Sequence, residues 1–174
     1  GKGMICSRQD DFKAFYEKVV EADGVLFVDP IFESGATGLY HSITDRMGPG
    51  HDTGMMKMLD GKLKEAGKEG LNPRYFRQKA LSFVGIGGSD WAVRCETDHA
   101  MFALSPGWKV VNNEFFSWCK DVIMQDDKVE RMKEIGRNLA DAAQQIIDED
   151  MQIEGSEKTS LWKGKEGACP HCQG

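Results

Sequence analysis

The chain has 174 residues, 40% of them apolar and 29% charged, with a net charge of −6. That suffices for one domain with a real core and excludes a disordered or fibrous chain. The basic residues are scattered among acids, which argues against a nucleic-acid surface, and no apolar run approaches the roughly 20 residues of a membrane helix.

The first residues, "GKGMICSRQDD", lack the apolar core of a secretory signal. A soluble, cytoplasmic protein is the expectation. Five cysteines, with Cys6, Cys95 and Cys119 dispersed, point to reduced thiols rather than a disulfide framework. Residues 10–22 place Phe12, Phe15, Tyr16, Val19 and Val20 on one helical face. Asp10 or Asp11 can cap that helix, and Gly24 is the expected C-cap. "VLFV" (25–28) is a continuous apolar run, the pattern of a strand buried on both faces. It runs into "DPIFESGATG", a loop of Pro, aromatic, Glu, Ser and Gly. "TGLYHSITDRM" reads as a helix ended by Pro49 and Gly50. "DTGMMKMLDGKLKEAG" reads as a helix interrupted at Gly61.

Residues 79–86, "KALSFVGI", form a second buried strand, followed at once by the glycine loop "GGSDWA". A helix is expected over "WAVRCETDHAMFALS", a turn at Pro106-Gly107 and a third strand over "WKVVNN" (108–113). Residues 126–149 carry the strongest helical periodicity, with Val129, Met132, Ile135, Leu139, Ala142, Ala143 and Ile146 facing inward. Asp126 or Asp127 with Glu130 marks its start. Residues 1–150 read as one α/β domain. Residues 151–174 read as an extended tail able to dock through Leu161 and Trp162.

Strands alternating with helices imply a parallel sheet, and ligands of such sheets bind at the carboxyl ends of the strands. Both glycine-rich loops, 30–38 and 87–91, sit at such ends. Among the other candidates, His41 and His99 lie on helices and read as solvated or capping. His51 lies in a loop. Met55, Met56 and Met58 read as packing residues. Trp108, Phe115, Phe116 and Trp118 read as core or subunit interface. Cys95 and Cys119 read as buried structural thiols.

The run "DDFKAFYEKVVEADGVLFVDPIFESGATGLYHSITDR" resembles the middle of flavodoxin-like NAD(P)H-dependent FMN reductases and the related iron–sulfur flavoproteins. "KALSFVGIGGSDWAVRCETDHAMFALSPGWKVVNN" is similar to the next segment of that family, and the helix at 126–149 matches in position. The resemblance implies a flavodoxin-like, doubly wound, three-layer α/β fold. It implies bound FMN, NAD(P)H as electron donor, and a homodimer or higher oligomer. It places the flavin ring against Pro30, Ile31, Phe32, Glu33, Ser34 and Gly35, and against Gly87, Gly88, Ser89, Asp90 and Trp91. Phe32 and Trp91 would pack on the ring, Ser34 and Ser89 would donate hydrogen bonds, and small residues would allow close approach.

Four features depart from the family pattern. Asp29 stands where a serine is usual, and Phe32 lacks a tyrosine hydroxyl. Glu33 adds a carboxylate beside a ring that becomes anionic on reduction. The family's opening strand and phosphate loop have no counterpart here. The expected fold is therefore incomplete on its N-terminal side, lacking roughly 80 residues or relying on a partner chain for those strands. These departures motivate a second reading, a non-catalytic flavodoxin-like scaffold or subunit. Cys169-Pro-His-Cys172 reads as half of a zinc or iron–sulfur site, or as a dithiol on the tail. Cys6 is the expected further ligand, by fold logic, and His171 is a weaker one.

Overall fold

The structure is a computed structural model that describes residues 8–171. Among these are three parallel strands, β1 (Gly24–Pro30), β2 (Ala80–Ile86) and β3 (Lys109–Phe116), paired in that order. Five α-helices connect and cover them: α1 (Phe12–Glu21), α2 (Gly38–Met47), α3 (Thr53–Glu65), α4 (Cys95–Leu104) and α5 (Asp126–Asp148). Helices lie on both faces. On one, Tyr16, Val20, Tyr40 and Phe102 of α1, α2 and α4 pack on Phe27, Leu81, Phe83 and Val110. On the other, Ala142, Ile146 and Ile135 of α5 pack on Ala80, Val84 and Val111. This is the three-layer α/β arrangement expected from the alternating pattern.

Most differences from expectation have local causes. Phe12 N–H is taken by the Asp10 carboxylate (3.1 Å), but α1 closes at Ala22 rather than at Gly24. Gly24 instead opens β1, because a Cβ there would sit 3.3 Å from the Ala143 Cβ of α5. α3 runs unbroken through Gly61, whose missing Cβ would face open space. Helix α4 starts four residues later than the periodicity suggests, since 91–94 form the turn that ends the glycine loop. Strand β3 continues three residues past Asn113. At α5 the acids Asp126 and Asp127 occupy the first turn, but no side chain caps it.

Strand β1 is not buried on both faces. Leu26 and Val28 are 43% and 46% exposed. Helix α5 crosses only the start of β1, and no described strand pairs with its outer edge. The opposite edge is closed. Lys163 N–H donates to Val111 O (2.7 Å) and Asn112 Nδ2 donates to Lys163 O (3.1 Å), so the chain after α5 lies along β3. Leu161 is buried there and Trp162 packs partly against the core.

The amino ends of the strands are sealed by buried polar groups. Lys79 Nζ donates to Val20 O and Ala22 O, both at 2.6 Å, which satisfies carbonyls at the end of α1. Burial lowers its ammonium to about 8. Gln78 Nε2 donates to Ser156 Oγ (2.9 Å). His51 is buried, stacked on Phe102, with Nε2 2.7 Å from Phe102 O. Burial lowers the His51 imidazole to about 4.

Candidate functional site

The two glycine-rich loops meet at the carboxyl ends of β1 and β2. Ile31 N–H donates to Ile86 O (2.9 Å), and Arg94 N–H, at the end of the second loop, donates to Ser34 O (3.0 Å) of the first. A third segment joins them. Gly87 N–H donates to Phe116 O (3.0 Å) and Cys119 N–H to Gly87 O (2.8 Å), placing residues 116–119 under the second loop. Trp118, expected in the core or at a subunit interface, is not in the core of this chain: it is 67% exposed, because β3 has ended and its left-handed backbone (φ 53°) turns the side chain away from the sheet. Phe32 and Trp91 are also largely exposed, at 67% and 73%. Three large aromatic rings lie open to solvent around the ends of adjacent strands, a surface suited to a flat, apolar ligand.

The loop backbones are shaped for contact. Glu33 (φ 47°) and Ser34 (φ 67°) both lie in the left-handed region, which side chains other than glycine rarely adopt. Among the described residues, the N–H groups of Glu33, Ser34, Gly88 and Ser89 have no acceptor. The glycines serve the protein's own packing. A Cβ on Gly35 would meet Asp98 and Arg94, one on Gly87 would meet Phe115 at 2.8 Å, and one on Gly85 would meet Cys95 Sγ at 2.6 Å.

Beneath the first loop lies a buried polar array that the sequence reading missed. Asp29 Oδ1 is 2.7 Å from His99 Nε2, and Asp29 Oδ2 accepts from Thr37 N–H (2.9 Å). His99 Nδ1 is 3.7 Å from Cys95 Sγ. His99 is therefore neither solvated nor a cap; it is fully buried. Burial alone would raise the Asp29 carboxyl, but the bonds from His99 and Thr37 outweigh it and hold the group below the usual carboxylate range. Burial pushes the Cys95 thiol up to about 12, with the Asp29 charge adding to the effect. Despite its order of groups, this Cys–His–Asp array supplies no nucleophile, since Cys95 is enclosed and stays a thiol. The i, i+4 spacing of Cys95 and His99 on one helix face was the available sequence signal.

The other candidates separate from this site. His41 is on the surface of α2, 3.8 Å from Asp98. Met56 is buried, while Met55 and Met58 are exposed. Trp108 and Phe116 are core residues, and Cys95 and Cys119 are buried thiols, as expected. A groove of about 410 Å³ lies at the other end of the sheet, between the tail and the start of β3. Lys57 there pairs with Glu154 (2.9 Å) and Lys109 donates to the Glu157 backbone carbonyl (3.4 Å), so both ammonium groups have partners within the chain. Cys169 is half-buried, whereas Cys6 and Cys172 lie outside the described residues. Among the described residues no group of three or more His, Cys, Asp or Glu side chains could hold a metal ion. Nor is any described helix long and apolar enough to cross a membrane.

A parallel α/β sheet with paired loops at its carboxyl edge and exposed aromatic rings around them defines a nucleotide-type binding fold. The chain belongs to the NADPH-dependent FMN reductase family, whose sequence profile matches residues 1–122. Its fold is flavodoxin-like. It is similar to a flavone reductase of known structure, with 41% identity and a TM-score of 0.81 over 97% of this chain. It spans only 55% of that relative's length. An NADH:FMN oxidoreductase in its apo form also matches, at 19% identity and a TM-score of 0.45, over 88% of this chain and 66% of that one. Among curated proteins the comparison finds no match.

The described residues fit one end of FMN and not the other. Free backbone N–H groups beside exposed aromatic rings suit a flat ring with carbonyl edges. A phosphate finds no comparable place. The helix N-termini under both loops already face carboxylates, Asp29 at α2 and Glu96 and Asp98 in the first turn of α4.

Proposed function

We propose that the protein is a flavin-dependent oxidoreductase that passes electrons from NAD(P)H through FMN to an acceptor. The observation that carries this reading is the pairing of two loops with free N–H groups at adjacent strand ends, in a chain of the FMN reductase family. Pro30, Ile31, Phe32, Glu33, Ser34 and Gly35 would line one side of the ring, and Gly87, Gly88, Ser89, Asp90 and Trp91 the other. Trp118 would close the third side. The flavin supplies the hydride chemistry; the protein supplies orientation, exclusion of water and the local field. Glu33 places negative charge beside the ring and opposes an anionic reduced flavin. The flavone reductase likeness suggests a planar aromatic ketone as acceptor, which Phe32, Trp91 and Trp118 suit by stacking.

A phosphate site and a cover for the open edge of β1 would come from the same kind of element. Ile31 N–H points to β2, so the alternation of a parallel ladder turns the backbone groups of Leu26 and Val28 outward. A parallel strand pairing there, with its following helix beside α5, would cover both side chains and bring a helix N-terminus to the carboxyl end for the phosphate. We propose that chain outside the described residues, or a partner chain, provides it.

The test is direct. Purified full-length protein should carry flavin, seen as its visible absorption band, or take it up on titration with FMN, and NAD(P)H should bleach that band without oxygen. Full-length protein that stays colourless at saturating FMN sinks the enzyme reading. A folded but flavin-free protein that co-purifies with a second chain supports the scaffold reading instead.

A further inference from the structure

We propose that His99 is a positioning residue for the ring-contacting loop 31–36, acting through Asp29; the proposal rests on the flavin reading above. The Asp29 carboxylate spans the base of that loop. It leaves the end of β1 and takes Thr37 N–H, the N-cap of α2, at 2.9 Å, so one side chain joins the loop's two ends. Its other oxygen is held by His99 Nε2 at 2.7 Å. The carboxylate can hold Thr37 only while its own orientation is set, and His99 sets it.

The imidazole is fixed from every side. It stacks on Phe83 of β2, with centroids 5.2 Å apart and 13° between planes, and stands edge-on to Tyr40 of α2 at 5.0 Å. Its Nδ1 faces Cys95 Sγ on the preceding turn of α4. Cys95 lies against Gly85, where even a Cβ would come within 2.6 Å of the sulfur. A thiol S–H donating to Nδ1 and an Nε2–H donating to Asp29 form one consistent donor chain. Two weaker ties come from α4 and the residue that precedes it: Ala36 N–H to Asp98 Oδ2 (3.3 Å) and Arg94 N–H to Ser34 O (3.0 Å). The loop needs these restraints because Glu33 and Ser34 hold left-handed backbone, which persists only where the surroundings enforce it. Because α4 begins where the second glycine loop ends, His99 also sets one loop relative to the other.

Three full-length proteins decide the matter: wild type, His99→Phe and His99→Gln. Phe keeps a ring on Phe83 and removes the donor; Gln offers an N–H to Asp29. Hydrogen exchange on ligand-free protein reads the Gly35, Ala36 and Thr37 amides, and titration reads FMN affinity. His99→Phe should speed exchange of those amides by about tenfold, the size of one lost bond to a charged acceptor, with β2 and β3 amides unmoved. FMN affinity should fall by a similar factor. His99→Gln should restore most of both. Unchanged exchange in His99→Phe overturns the proposal, as does a Gln variant that behaves like Phe. If His99→Phe does not fold, Asp29→Asn serves. Its neutral amide should loosen the same amides to a smaller extent, and no change there overturns the proposal equally. If wild type takes no FMN, the flavin reading falls while the exchange data still judge the role of His99.

Discussion

At the amino ends of the strands, Lys79 binds two backbone carbonyls, Gln78 binds Ser156 and His51 binds Phe102 O. All three are buried under α1, α4 and the chain after α5. At the carboxyl ends, Asp29 and His99 are as deeply placed, yet what they hold is an open loop with exposed aromatic rings and unbonded N–H groups. Both ends bury titratable groups and bind them, although His51 Nδ1 has no partner among the described residues. They differ in what the bonds restrain: helix ends and a tail in one case, a strained, solvent-open loop in the other. Buried polar groups at one end therefore contribute mainly to stability, and at the other mainly to the shape of a surface.

Four measurements test this contrast. Leu161→Ala, at the amino end, should cost about 3 kcal/mol of stability as a large-to-small change in a closed site. Denaturant unfolding would show it, while FMN affinity stays at the wild-type value. A large loss of FMN affinity would mean the two ends are coupled. Acidification is the second. His51 drops from 6.5 to about 4 on folding, so the unfolded state takes up a proton in that window and the folded state does not. The His51 contribution should be complete above pH 6.5 and fall by about 3 kcal/mol as pH drops to about 4. Melting curves of wild type and His51→Gln should diverge in that range, with the variant flatter. Asp29 acts lower on the scale. Its contribution is present above 3.8 and is lost as pH falls below that.

Gly85→Ala is the third. The added methyl must displace Cys95 Sγ or Ile31, at a cost of about 2 kcal/mol. Since it lies under the loop, FMN affinity should fall together with the unfolding midpoint. Smallest in stability is Trp91→Ala. That side chain is 73% exposed, so unfolding should move by less than about 0.5 kcal/mol. FMN affinity should fall by about tenfold through lost ring contact. A stability change larger than its affinity change would place Trp91 in the structural class instead.

The alternation of strand and helix, the inward face of α5 and the two glycine loops at strand ends were legible in the chain itself. They depend on periodicity and turn chemistry within a dozen residues, and tertiary packing had no reason to override them. Asp29 was visible as an unusual residue after a strand, but not what it does. Its partner His99 lies 70 residues further on and is brought to it only when α4 docks on β2. Trp118 reads as core or subunit interface, and only the end of β3 and one left-handed residue decide that it faces outward. Whether "VLFV" is covered on both faces was equally out of reach, because an apolar run reports what a strand can bury, not how far a helix laid across it extends. Local pattern specified the elements. Which polar groups meet, and which apolar ones stay open, was decided by docking between segments far apart in the chain.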